Sequence, residues 1–170
     1  VMNIVSAHSA KTKHWLLGIV MLVLVLVCDQ LSKYWILNIF DLPEKRSVEI
    51  LPFLNFTMVW NKAITFGMLG DALGQYAPII FAVVAFSIAV GLFVWMIRAS
   101  KRCVVLSLGA IIGGAVGNII DRVRFGAVVD FIHLHVSGWS WYVFNIADSA
   151  IVCGVGVLLI DAFFRKDSKH

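Results

Sequence analysis

Charge is scarce in this chain. Asp, Glu, Lys and Arg make up 14% of its 170 residues, against about 25% in an ordinary soluble domain. With 61% hydrophobic residues and a mean hydropathy of +0.92, that scarcity excludes a typical water-soluble fold. The net charge of +4 forms no basic stripe, so nucleic acid is not an expected partner. Other chemistry is missing as well. There is no HExxH pattern for zinc, no Ser-His-Asp arrangement that fits, and no CxxC. His133 and His135 alternate as on a strand, but two histidines fall short of a metal ligand set. No metal and no cofactor are expected. Cys28, Cys103 and Cys153 read as small buried hydrophobes.

What the sequence does have is four long apolar blocks, at about 15–37, 76–97, 104–120 and 144–164. A helix needs about 20 residues to cross about 30 Å of hydrocarbon, so each block is expected to span a membrane. The first resembles a signal peptide in its basic-then-apolar order. It lacks a small-x-small cleavage pattern, however, and is read as a retained span. Basic residues flank the blocks at Lys11 and Lys13, at Arg98, Lys101 and Arg102, and at Arg165, Lys166 and Lys169. These clusters share one side in a four-span chain, and the positive-inside rule makes that side cytoplasmic. Both termini are then inside. Residues 1–10 and the closing RKDSKH read as tails. The loops at about 38–75 and 121–143 face outward, carrying Asp41, Glu44, Glu49, Asp71, Asp121 and Asp130.

The longer loop contains VEILPFLNFTMVW, which predicts one or two short strands broken at Pro52. Strands cannot lie exposed in lipid, so they are expected at the membrane surface. Trp139, Trp141 and Tyr142 of the other loop suit the headgroup layer. The expected fold is an all-α polytopic membrane protein. It has four transmembrane helices, a small extracytoplasmic β-containing cap, and one domain over 1–170. Gly109, Gly113 and Gly117 line one face of the third span and predict close helix approach.

Ionisable groups near a span need a reason, and here they gather at the outward ends. Asp29 and Lys33 are four apart, a spacing for an ion pair on one helix face, and read as structural. Asn118 and Arg122 end the third span. Asn145 and Asp148 begin the fourth. Asp130 lies between these pairs, and Asn61 lies in the first outer loop. Asp130 and Asp148 are the candidate working groups. Two carboxylates in one pocket share a proton. The ionised one can take a proton from water while the protonated one polarises a carbonyl. The residues alone leave amide hydrolysis and a small proton-coupled transporter equally open.

At these residues the chain resembles the lipoprotein signal peptidase family, signal peptidase II. GNIIDRVRFGAVVDFI at 117–132 is similar to the family's motif around its first catalytic aspartate, and FNIADSAI at 144–151 to that around the second. DQLSK at 29–33 and WNKAITFG at 60–67 match its other motifs; Ala63, Ile64 and Thr65 depart from the usual small residues. The resemblance implies an aspartic endopeptidase of the bacterial inner membrane. Asp130 and Asp148 correspond to its catalytic pair. Asn118, Arg122 and Asn145 correspond to the polar shell, and Asn61, Asp29 and Lys33 to outer-pocket residues that support the pair or meet substrate. The implied substrates are diacylglyceryl-modified prolipoproteins, cut just before the lipid-bearing cysteine. The aromatic loop is expected to limit water there. Membrane lipids are the other expected partners, and a monomer suffices.

Overall fold

In a computed structural model, residues 2–62, 76–136 and 138–166 are described. The elements are α1 (Met2–Asn38), α2 (Leu42–Lys45), β1 (Ser47–Leu51), β2 (Leu54–Asn61), α3 (Ala77–Arg98), α4 (Arg102–Phe125), β3 (Val128–Val136), β4 (Trp139–Ser140) and α5 (Ile146–Lys166). The stretches His14–Asn38, Ala77–Arg98, Arg102–Phe125 and Ile146–Phe164 are long and apolar enough to cross a membrane. The chain is therefore an all-α polytopic membrane protein carrying a small sheet.

α4 is the central helix. In its most apolar stretch 61% of residues are buried, against 11–17% in the other three spans. Val105, Leu108 and Ile112 of α4 form a core with Ala89 and Met96 of α3. Large apolar side chains such as Val20, Phe86 and Val152 point outward, as a lipid-facing surface requires. The four-residue glycine ladder is what brings α1 against α4. A methyl group on Gly109 would strike the Gly18 backbone, and one on Gly113 the Leu22 backbone. Gly117 gives its space to the Asp29 carboxylate, and Gly114 lets Ala147 of α5 approach from another side.

Several sequence expectations shift. α4 continues to Phe125, so Asp121 and Arg122 ride on its last turns rather than opening a loop. Gly126, at φ 70°, ends it: a left-handed residue closes the helix, with its N–H on the Arg122 carbonyl. Residues 2–10, read as a tail, belong to α1. All three cysteines are exposed, not buried; on an apolar helix the outer face is itself a hydrophobic environment. Asp71, residues 63–65 and the last four residues lie outside the described residues.

The sheet is antiparallel, in the order β1-β2-β3-β4. Pro52 stands in the turn between β1 and β2, where its missing N–H breaks no ladder. The sheet sits over the end of α1: Val129 and Phe131 pack on Ile36 and Leu42, with Phe56 and Phe40 alongside. Phe56 meets Phe131 edge-on at 6.0 Å between ring centres. Phe144 pairs with Ile132 of β3. That bridge ties the start of α5 to the strand that carries Asp130.

Candidate active site

Two elements deliver the aspartate pair, and a third supports it. Asp130 stands on β3 directly opposite Val59 of β2. Asn61, two residues along β2, therefore lies on the same face. Its amide donates to Asp130 Oδ2 at 3.0 Å. Asp148 stands in the first turn of α5, and Asn145 caps that helix. The Asn145 side-chain oxygen accepts from the Asp148 N–H at 2.8 Å, while Asp148 Oδ2 accepts from the Asn145 N–H at 3.3 Å. This reciprocal pair is a capping box.

Asn145 also joins the two acids. Its Nδ2 donates to Asp130 Oδ1 at 2.7 Å, to Asn118 Oδ1 at 3.1 Å and to the Val129 carbonyl at 3.3 Å. Asn118 completes the loop by donating to Asp148 Oδ1 at 2.8 Å. Both carboxylates are thus held by amide donors, and among the described residues neither forms a direct salt bridge. Arg122 anchors on the Asn118 carbonyl at 3.3 Å and interacts electrostatically with Asp148 and Asp130. Asp130 is 1% exposed. Burial lifts its carboxyl from the usual 3.8 to about 6, and the Asp148 charge adds to the rise. Bonds from Asn61 and Asn145 and the Lys33 charge oppose it. Asp130 therefore holds its proton to a higher pH than an ordinary carboxyl does.

Asp29 and Lys33 do form the ion pair their spacing predicts, at 2.8 Å, but they have company. Lys33 also pairs with Asp121 at 2.7 Å and donates to Asn118 Oδ1 at 3.2 Å. Asp29 Oδ1 accepts the Ala147 N–H at 3.0 Å, fixing the first turn of α5. Asp121 Oδ2 accepts the Val129 N–H at 3.1 Å, one residue before Asp130. Gln30 bonds to both Asp29 and Asp121 at 3.2 Å. This buried cluster holds the two backbones that carry the pair. Among the described residues no buried side-chain nitrogen or oxygen lacks a partner.

Asp121 and Gln30 were not among the sequence-predicted site residues. Asp121 had a signal: it continues the four-residue series Gly109, Gly113, Gly117 on the face that meets α1. His133 and His135 bond to Ser140 and Asn55. Beside Asp130 a trough of about 930 Å³ opens, walled by Trp60, Asn61, His133, Trp141 and Tyr142.

The comparisons with known proteins point to one family. The family model for signal peptidase (SPase) II matches residues 21–164. The chain is 47% identical over 153 residues to the lipoprotein signal peptidase of Methylobacterium sp. (strain 4-46), covering 89% of this chain and 91% of that one. It is 41% identical over 167 residues to that of Coxiella burnetii (strain Dugway 5J108-111), covering 97% and 99%. A solved bacterial membrane enzyme, 31% identical, superimposes with a TM-score of 0.73 over 90% of this chain and 91% of that one. The protein is an aspartic endopeptidase built into a membrane-spanning bundle. It belongs to the signal peptidase II family.

Proposed function

We propose that Asp130 and Asp148 are the catalytic pair, and that they remove signal peptides from diacylglyceryl-modified prolipoproteins just before the lipid-bearing cysteine. The observation that carries this reading is the single residue, Asn145, whose side chain donates to the Asp130 carboxylate and whose backbone N–H donates to that of Asp148, at one end of the bundle. Asp148, half-buried beside buried Asp130, takes a proton from water. Protonated Asp130 polarises the scissile carbonyl, and the pair then returns a proton to the leaving nitrogen. Asn61, Asn118, Asn145 and Arg122 hold the two carboxylates in place. Asp29 and Lys33 hold α1 and α5 around them. Lipid chains on the substrate fix the depth of the scissile bond, and the trough beside Asp130 takes the chain on the outer side. Arg98, Lys101 and Arg102 lie at the opposite end of the bundle. That supports both termini in the cytoplasm and a site facing outward across the inner membrane. A monomer contains every group this chemistry uses.

The test is cleavage of a synthetic diacylglyceryl precursor by the purified protein, beside the same peptide with an unmodified cysteine. The expected product starts at the lipid-bearing cysteine, and the unmodified peptide reacts about 10²-fold more slowly because its bond is misplaced in depth. Equal rates for the two peptides, or a cut elsewhere, overturn the substrate reading.

The pH profile offers a second check. Below about 6 Asp130 keeps its proton; as pH rises through that value the proton is lost. The kcat/KM for the precursor is expected to fall along that limb. Asn61→Ala removes a bond that favours the carboxylate, so the limb moves to higher pH. A limb that stays put or moves down would show that Asp130 is not the proton holder.

A further inference from the structure

His133 takes no part in holding the aspartates, yet it lines the same trough as Asp130. Its ring on β3 reaches the strands on both sides. Nδ1 lies 3.4 Å from the Thr57 hydroxyl of β2, and Nε2 lies 2.6 Å from the Ser140 hydroxyl of β4. Thr57 in turn meets the Ser47 hydroxyl of β1 at 2.8 Å. A line of side-chain bonds therefore crosses all four strands. The bonds run in one direction. Ser140 gives its single hydrogen to the Trp141 carbonyl at 3.5 Å. The Ser140 oxygen is left to accept from His133 Nε2–H, and Nδ1 to accept from the Thr57 hydroxyl.

This line ends on the trough wall, where other support is thin. Trp141 and Tyr142 are 51% and 82% exposed, so packing does not fix them. The strand that leads into them, β4, is two residues long, shorter than an ordinary strand. It pairs with β3 through His135 with Ser140 and Val136 with Trp139. The Trp141 N–H adds a bond to the Leu134 carbonyl at 2.9 Å. These bonds hold backbone to backbone along β3. The His133–Ser140 bond is different: it is a side-chain tie between two residues that both line the trough. It sets how far the wall residues stand from the body of the sheet, and Trp60 of β2 lines the same space.

We propose that His133 is a positioning residue that sets the width of the trough, and with it the grip on the peptide that follows the lipid-bearing cysteine of the substrate. The inference rests on the proposed cleavage site. The cut falls before the cysteine, whose lipid chains stay in the bilayer, so the peptide after the cysteine leaves outward past Asp130. A trough walled by Trp60, Trp141 and Tyr142 offers that peptide flat aromatic faces, which give contact area at a small cost in side-chain freedom. His133 acts through Ser140 on this wall and not on the reacting bond. Its loss therefore weakens binding of the outgoing peptide and leaves the chemical step in place.

The experiment compares two synthetic diacylglyceryl precursors, one with a peptide tail after the cysteine and one that ends there as an amide. On the tailed precursor His133→Phe, which keeps a ring and removes both bonds, is expected to raise KM about tenfold and to change kcat by less than about twofold. His133→Gln returns an N–H to Ser140 and should recover most of the loss. Ser140→Ala, at an exposed position, should match His133→Phe, and the double variant should be no worse than either single one. On the short precursor the loss from each variant should shrink to less than about twofold. Thermal unfolding checks the fold, and Ser140→Ala carries the same test where His133→Phe does not fold. No loss on the tailed precursor, an equal loss on both precursors, a fall in kcat instead of a rise in KM, or additive losses in the double variant would each overturn the proposal and leave the cleavage reading intact. A wild-type protein that cuts neither precursor would overturn that reading, and the proposal with it.

Discussion

Asp130→Asn is expected to fold like the wild type and to cleave the diacylglyceryl precursor at least about 10³-fold more slowly. The replacement keeps the size of a side chain that is 1% exposed, so no cavity opens. It does change the hydrogen bonding. Asp130 now accepts from Asn61 on one oxygen and from Asn145 on the other. An amide has one oxygen, so one donor would face an NH2 group, costing about 1–3 kcal/mol. Against this, the substitution removes an ionisable group from a buried place, and burial is the first cause of its raised pKa. The two effects oppose each other, and thermal unfolding should move by only a few degrees. Activity has no such offset. Without a titratable group at 130, the proposed mechanism has no proton to polarise the carbonyl or to reach the leaving nitrogen. Asp148→Asn should be as inactive and somewhat less stable, because it weakens the capping box at the head of α5. A folded Asp130→Asn protein that cuts at the wild-type rate would remove Asp130 from the mechanism.

The four spans were legible because hydropathy over about 20 residues reports a strong physical constraint. The strands of the first outer loop were legible because Pro52 interrupts a β-rich run; β3 showed only in the strand-like alternation of His133 and His135, and β4 not at all. The end of α4 was not. Asp121 and Arg122 read as the polar close of a span, but their charge is satisfied inside the bundle, by Lys33 for Asp121 and around Asn118 for Arg122. The real stop is Gly126, which takes a conformation other residues rarely adopt. The polar site residues stood out as costly groups near lipid, and the structure brings Asn61, Asn118, Arg122, Asp130, Asn145 and Asp148 together. Their mutual arrangement was hidden, because it depends on a strand register and a helix cap that meet only after folding. Gln30 was hidden for a simpler reason. A glutamine beside Asp29 carries no periodic signal, and its bonds to Asp29 and Asp121 exist only because Gly117 lets α1 and α4 close.

Lys33→Met separates a membrane-protein intuition from a pairwise one. Lys33 lies at the end of an apolar helix, where removing a charge ordinarily makes insertion easier. Here the ammonium is 3% exposed and stands between Asp29 at 2.8 Å and Asp121 at 2.7 Å. Methionine would leave two buried carboxylates without the ammonium that bonds them both, and removing one partner of a buried ion pair costs about 3–5 kcal/mol. The loss should appear as a large drop in the thermal unfolding temperature in detergent, with little folded protein recovered. The triple variant Lys33→Met, Asp29→Asn, Asp121→Asn removes all three charges at nearly constant volume and should regain most of the stability. Its activity should stay low, since Asp29 holds the Ala147 N–H beneath Asp148 and Asp121 holds the Val129 N–H beside Asp130, and an amide accepts these bonds less strongly than a carboxylate. Stability that returns without cleavage would identify the cluster as the frame that sets the two aspartates. A Lys33→Met protein as stable as the wild type would show that the charges at this end of α1 are solvated rather than paired.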